Sequence, residues 1–190
     1  MKIILASGSP RRKELLDQVG IEYEVCVSNV EERTAKTIPE EVVKDLSGQK
    51  AMAVLQKKWE GVILGADTVV VNRGEILGKP VDEEDAVRML SGLCGHAHEV
   101  ITGVTLIKAS EGQKEVVRSF AVTTKVHVAP MTKEQIGQYV ATKEPLDKAG
   151  SYGIQGLFAK YITGIEGDFY NVVGLPVCEV CRQLALLGIC

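Results

Sequence analysis

A short apolar run, Lys2–Ala6, leads into Ser7-Gly8-Ser9-Pro10-Arg11-Arg12 and then directly into helical spacing. Two hydroxyls and two guanidinium groups at such short range could hold an anion through charge-assisted hydrogen bonds. Ser9 suits an N-cap and Pro10 the first helical position, where a missing N–H costs nothing. The free N–H groups of a helix start also receive phosphate oxygens. The plainer alternative is a strand-cap-helix junction with solvated arginines. The spacing differs from a Walker-type Gly-x-x-x-x-Gly-Lys-Ser/Thr loop.

Leu64-Gly65-Ala66-Asp67-Thr68-Val69-Val70-Val71 places an aspartate within an apolar strand. Such a carboxylate is costly to bury unless paired, hydrogen-bonded or metal-bound. Asp67 can therefore be a general base or a metal ligand, or it can cap a turn at a strand end. Gly65 and Ala66 are small enough to admit a ligand to the backbone. Glu31-Glu32 could hold Mg²⁺ through a carboxylate and waters, or stand solvated in a loop. Lys79, in Gly78-Lys79-Pro80, is an ammonium on a stiff loop. Lys50, after Ser47-Gly48, is a second candidate cation or an ordinary surface lysine. The glycine-rich stretch Asp147–Gly156 can wrap a ligand, and Gln155 carries both a donor and an acceptor, enough to read the edge of a base.

Other signals carry less chemistry. Cys178-Glu179-Val180-Cys181 has CxxC spacing but lies in an apolar helical tail without a second such pair. His96 and His98 read as loop histidines. Gly167–Pro176 reads as a tight loop entering the last helix, with Asp168 or Asn171 as its cap.

These groups need elements to position them. Lys2–Ala6, Tyr23–Val27, Val62–Val71 and Glu75–Leu77 read as strands, with a turn at Asn72-Arg73-Gly74. Glu99–Lys108 and Glu115–Val128, separated by Ser110-Glu111-Gly112, read as a long antiparallel hairpin. Arg11–Val19, Asp82–Leu90 and Lys133–Ala141 have helical spacing, and Pro39–Trp59 reads as two helices or one bent helix. Asp147–Gly156 looks irregular, Phe158–Ile165 like a strand, and Asn171–Leu187 largely helical. The expected fold is α/β, with a mixed, partly antiparallel sheet flanked by helices.

Composition bounds the function. The chain has 190 residues, 45% of them apolar and 25% charged, the balance of an ordinary globular protein with a core of its own. With 22 basic and 25 acidic side chains the net charge is −3, which offers no general attraction to nucleic acid or an anionic membrane. An anion site must then be a local basic cluster. The first apolar run is too short for an export signal, and no stretch has the length of a membrane span. The five cysteines are scattered, so reduced thiols and a cytoplasmic address are expected.

Taken together, the motifs resemble the Maf family, also called septum formation inhibitor-like proteins. Leu5–Arg12, Gly65–Val70, Gly78-Lys79-Pro80, Ile101-Thr102-Gly103-Val104, Asp147–Gly150, Tyr152–Gly156 and Asn171–Pro176 occur in the family's order. The resemblance implies a single domain over residues 1–190, with two lobes around a central cleft as in inosine triphosphate pyrophosphatases. It implies hydrolysis of a nucleoside triphosphate to the monophosphate and pyrophosphate, with a divalent cation, Mg²⁺ or Mn²⁺. Asp67 corresponds to the family's proton acceptor. Arg11, Thr68 and Gln155 match positions tied to substrate choice, and Ser7, Ser9, Arg12, Lys50 and Lys79 match phosphate-handling positions. Asp67, Glu31 and Glu32 are the expected metal ligands, although Glu31-Glu32 departs from the family's aspartate followed by glutamate. Arg11 and Gln155 indicate the dTTP/UTP branch, because the 7-methyl-GTP branch carries an aromatic residue and a glutamate there. A 7-methyl-GTP enzyme and a non-catalytic regulator of septation are the alternatives. The expected partner is the nucleotide, with no nucleic acid or membrane and a homodimer as an option.

Overall fold

The structure is a computed structural model that describes residues 1–28, 30–55, 60–110 and 113–189, with the backbone alone for 110 and 113–117. The end of the expected Pro39–Trp59 helix, the hairpin turn at Glu111-Gly112 and the Cys190 thiol lie outside these residues. In chain order the elements are β1 (Ile3–Leu5), α1 (Pro10–Gln18), β2 (Tyr23–Val25), α2 (Pro39–Leu55), β3 (Gly61–Asn72) and β4 (Glu75–Leu77). There follow α3 (Glu83–Leu93), β5 (Ala97–Ser110), β6 (Gln113–Val128), α4 (Lys133–Ala141), β7 (Ile162–Glu166), α5 (Phe169–Val173) and α6 (Val177–Leu186). Short 3₁₀ turns fill Glu144–Asp147, Ala149–Ser151 and Leu157–Tyr161.

The strands are hydrogen-bonded in the order β2-β1-β3-β5-β6-β7, with β4 added to β3. β1 runs parallel to both neighbours, Ile3 facing Tyr23 and Val62. β4 and β7 are antiparallel to β3 and β6. The sheet is thus mixed and flanked by helices, as the alternation of elements predicts. By packing, the chain forms two compact units. The first holds Met1–Asp67, Thr102–Val122 and Gly174–Cys190, and the second Thr68–Ile101 and Thr123–Val173.

In the first unit, Ile4, Ala6 and Ile63 of the sheet bury against Ala51, Val54 and Leu55 of α2. Gly65 and Gly103 set how closely α2 lies on the strands. A Cβ on Gly65 would come within 2.2 Å of the Ser47 carbonyl oxygen, and one on Gly103 within 2.4 Å of Val43. Backbone-to-backbone contact this tight excludes every larger residue. The open space expected beside Gly65 is therefore filled by a helix, not kept for a ligand. Ser47 and Thr105, both buried, close the contact with a hydroxyl–hydroxyl bond of 2.8 Å.

In the second unit, α3 starts at Asp82, whose carboxylate accepts from the Asp85 N–H, and α4 starts with a Thr132–Gln135 capping box. These helices bury Met89, Leu90, Leu93, Ile136, Tyr139 and Val140.

Several local expectations change. Phe158 opens no strand: Leu157–Tyr161 is a 3₁₀ turn and only Ile162–Glu166 is extended. Pro39–Leu55 is one helix through Ser47-Gly48. Asn171 lies inside α5, fully buried, and donates to the Val100 carbonyl and Thr124 Oγ1. Asp168 Oδ1 accepts from the Tyr170 N–H at 2.8 Å at the start of α5, while the last helix, α6, follows Pro176 without a side-chain cap bond, so neither candidate caps it. His98 is a strand residue, 3% exposed, with Nε2 at 2.8 Å from Tyr152 Oη.

Candidate active site

The turn from β1 into α1 buries Ser7 and Arg12, at 7% and 8% exposure. Ser7 Oγ accepts from the Ser9 N–H at 3.2 Å and from Arg12 Nη1 at 3.0 Å. Arg12 Nε donates to the Gly174 carbonyl at 2.8 Å. The guanidinium is thus fixed by two acceptors far apart in sequence. Burial works against its charge and lowers its pKa, Asp67 and Glu32 favour the charge, and Arg11 opposes it. Ser9 precedes the helix with extended backbone, but its side chain makes no cap bond, and Pro10 takes the first helical position. The N-cap assigned to Ser9 is therefore a backbone role, and Ser7 supplies the structural hydroxyl.

Asp67 lies at the end of the first unit's part of β3, 9% exposed. Lys50 Nζ reaches Asp67 Oδ1 at 2.5 Å and Glu32 Oε2 at 3.1 Å. The helix-to-strand approach permitted by Gly65 explains how an α2 lysine reaches a β3 carboxylate. An ammonium between two carboxylates also satisfies the demand that a buried aspartate be paired. Of the alternatives for Asp67, turn capping gives way to a buried ion pair.

The acidic pair in the loop divides. Glu32 joins Lys50, whereas Glu31 is exposed and pairs with Arg33 at 2.6 Å. Two carboxylate oxygens, from Asp67 and Glu32, therefore converge on one point where positive charge is favoured. That donor set suits a hard divalent cation, which takes oxygen ligands and fills its remaining positions with water or substrate phosphate. Among the described residues no cluster of three His, Cys, Asp or Glu side chains forms a fuller ligand cage. Glu31 contributes nothing to this convergence.

Thr68, Lys79 and Gln155 belong to the second unit. Thr68 follows Asp67 on β3 and is half-buried. Lys79 and Gln155 are exposed. Their loops are tied together, because the Gly150 N–H donates to the Gly78 carbonyl at 3.0 Å. Gly150 itself has φ +66° and sits against Val70, where a Cβ would approach to 2.7 Å. Glycine is required there on both counts.

Residue types alone did not reveal the Gly174 anchor for Arg12 or the buried His98–Tyr152 pair. Both join segments distant in sequence, and neither partner carries a local signature. Cys26, Cys94, Cys178 and Cys181 carry thiols.

A family model described as Maf-like protein matches residues 2–187. A protein of Lachnoclostridium phytofermentans named dTTP/UTP pyrophosphatase is 48% identical over 189 residues, covering 99% of this chain and 96% of its own. A Bacillus cereus protein of the same name is 49% identical, covering 96% and 94%, and one of Agathobacter rectalis is 46% identical, covering 99% and 98%. The solved dITP/XTP pyrophosphatase of Mycobacterium abscessus covers 100% of this chain and 98% of its own, at 16% identity and a TM-score of 0.46, too slight a likeness to bear on function. With a family match across nearly its whole length and relatives close to half identical, this chain belongs to the Maf family.

Proposed function

We propose that this protein hydrolyses dTTP and UTP to the monophosphate and pyrophosphate. The observation that carries the reading is the convergence of Asp67, Glu32, Lys50 and buried Arg12 in one unit. Attack of water at an α-phosphorus develops charge on phosphate oxygens, and fixed cations stabilise it without reorganising during the reaction. Arg12, held by Ser7 and Gly174, is such a cation. The names of the relatives support the choice of substrate. Arg11 and Gln155, in place of an aromatic residue and a glutamate, agree with that choice.

Asp67 is assigned as the proton acceptor for the attacking water. Lys50 orients its carboxylate, and a carboxylate held within reach of a water is the basic requirement of a general base. Lys50 and Lys79 are assigned to phosphate charge and Gln155 to the imide edge of uracil or thymine, where its amide can both donate and accept. Asp67 and Glu32 would hold the divalent cation, with Lys50 yielding part of its present contact. When bound, that ion would offset phosphate charge and make water more acidic.

A cytoplasmic address belongs to this reading. Its support is the set of thiols at Cys26, Cys94, Cys178 and Cys181.

Pyrophosphate release from dTTP, UTP, dCTP, dGTP and 7-methyl-GTP tests the reading. Turnover of dTTP and UTP well above the others is expected. Turnover of 7-methyl-GTP alone would transfer the protein to the other branch, and no release from any of them would remove the enzymatic reading.

A further inference from the structure

Gln155 sits in a four-residue turn, Gly153–Gly156, closed by a bond of 3.1 Å from the Gly156 N–H to the Gly153 carbonyl. Both flanks of that turn are tied to one small polar network. On the entering side the Gly153 N–H donates to Tyr139 Oη at 3.2 Å. On the leaving side the Leu157 N–H donates to Glu144 Oε2 at 3.0 Å. The two anchors are joined, because Tyr139 Oη donates to Glu144 Oε1 at 2.9 Å.

Packing enforces the same arrangement. A Cβ on Gly156 would lie 2.2 Å from Glu144 Oε1, and one on Gly153 would lie 2.8 Å from Lys148 Cε. The Glu144 carboxylate thus occupies the space the two glycines leave. Lys148 Nζ donates to the Glu144 carbonyl at 2.7 Å, holding the backbone of that residue as well. Tyr139 is 4% exposed and packs on Phe158 with ring centroids 5.1 Å apart, so the network stands on a rigid base. Burial raises the pKa of its phenol, which keeps the hydroxyl protonated and able to donate.

We propose that Glu144 and Tyr139 are positioning residues for nucleotide selectivity, clamping both ends of the turn that presents Gln155. The inference rests on the reading of Gln155 as the residue that meets the base. A carboxylate is needed because its two oxygens serve two donors at once, which a glutamine side chain, with one oxygen, does not match. An exposed side chain on a short turn selects among bases only if its backbone is held in one orientation, since a shift of about 1 Å is enough to spoil such a contact. Neither residue is among those assigned to the phosphates, so their loss changes recognition and not the chemical step.

The test compares Glu144→Gln, Tyr139→Phe and Gly156→Ala with Gln155→Ala, each checked for a retained melting transition. Steady-state constants are measured for dTTP, UTP, dCTP and dGTP, and inorganic tripolyphosphate inhibition reports phosphate binding without a base. The clamp variants are expected to raise KM for dTTP and UTP about tenfold with kcat within about twofold. Selectivity over dCTP and dGTP falls towards that of Gln155→Ala, and inhibition by tripolyphosphate is unchanged. Adding Glu144→Gln to Gln155→Ala costs nothing further, because both act through one contact. If Gln155→Ala alters selectivity while the folded clamp variants do not, the clamp is wrong. Equal weakening of tripolyphosphate inhibition by the clamp variants also overturns it, since the effect is then general. If Gln155→Ala itself leaves selectivity intact, the base-reading role fails first and the clamp falls with it. Should Glu144→Gln not fold, Tyr139→Phe decides the outcome alone.

Discussion

Lys50 on α2 donates to Asp67 on β3 at 2.5 Å, an ion pair whose side chains are only 14% and 12% exposed. This pair explains how an aspartate survives among Leu64, Ala66, Val69 and Val70. It also means that the Asp67 carboxylate is held in one orientation before any substrate arrives. Asp67→Asn is expected to lower kcat for dTTP by about 10²- to 10⁴-fold, the range that a general base contributes. The melting temperature and nucleotide affinity change little, since an amide still accepts from Lys50. An unchanged kcat would remove Asp67 from the chemistry.

Glu31 and Glu32 are neighbours with different surroundings, and their substitution separates structure from metal binding. Glu32→Gln is expected to raise the Mg²⁺ concentration needed for half-maximal activity by about tenfold. Glu31→Gln leaves it unchanged, because Glu31 pairs with exposed Arg33. A chelator titration of the wild-type protein, followed by Mg²⁺ or Mn²⁺ readdition, supplies the reference curve. The reverse order of effects would exchange the two assignments.

Arg12 is anchored to Ser7 Oγ and the Gly174 carbonyl by separate donors of one planar group. A lysine keeps the charge but cannot span both acceptors. Arg12→Lys is expected to cost about 1–3 kcal/mol of stability, seen as a melting temperature lower by several degrees. KM for both nucleotides rises as well. Full stability in that variant would mean that the anchor is not structural.

His98 has its pKa lowered from 6.5 to about 4, first by burial and then by the charge of His127. Well above pH 6.5 the group is neutral in both folded and unfolded chains and has no effect on stability. As pH falls through 6.5 towards 4, the unfolded chain takes up the proton first, so stability is lost across that window. The full effect is about 3 kcal/mol. Denaturant midpoints measured between pH 7 and 4 should fall more steeply for the wild-type protein than for His98→Gln. Parallel curves would show that another group carries the acid sensitivity.

Much of the architecture is legible in the sequence. Lys133–Ala141 has helical spacing and forms over the predicted residues, with Ile136, Tyr139 and Val140 buried. The long alternating runs either side of Glu111-Gly112 form β5 and β6 for the same reason of period. The misreading of Phe158–Ile165 has a physical cause. Phe158 is fully buried among the rings of Tyr139, Tyr152 and Tyr161, and an aromatic cluster in a 3₁₀ turn imitates the apolar content of a buried strand.

The division is the same at the site. Residue types and order alone determined the inventory: Ser7, Arg11 and Arg12 beside a helix start, Asp67 in an apolar strand, Gln155 in a glycine-rich turn, and the family these motifs resemble. Tertiary structure decided the pairings. It chose Glu32 over Glu31 for Lys50, anchored Arg12 on a carbonyl 162 residues away, and set Glu144 under the Gln155 turn. Local sequence carries propensity and period, which depend on near neighbours. Which distant acceptor meets a given donor depends on strand register and on how closely a helix can approach, here set by Gly65 and Gly103.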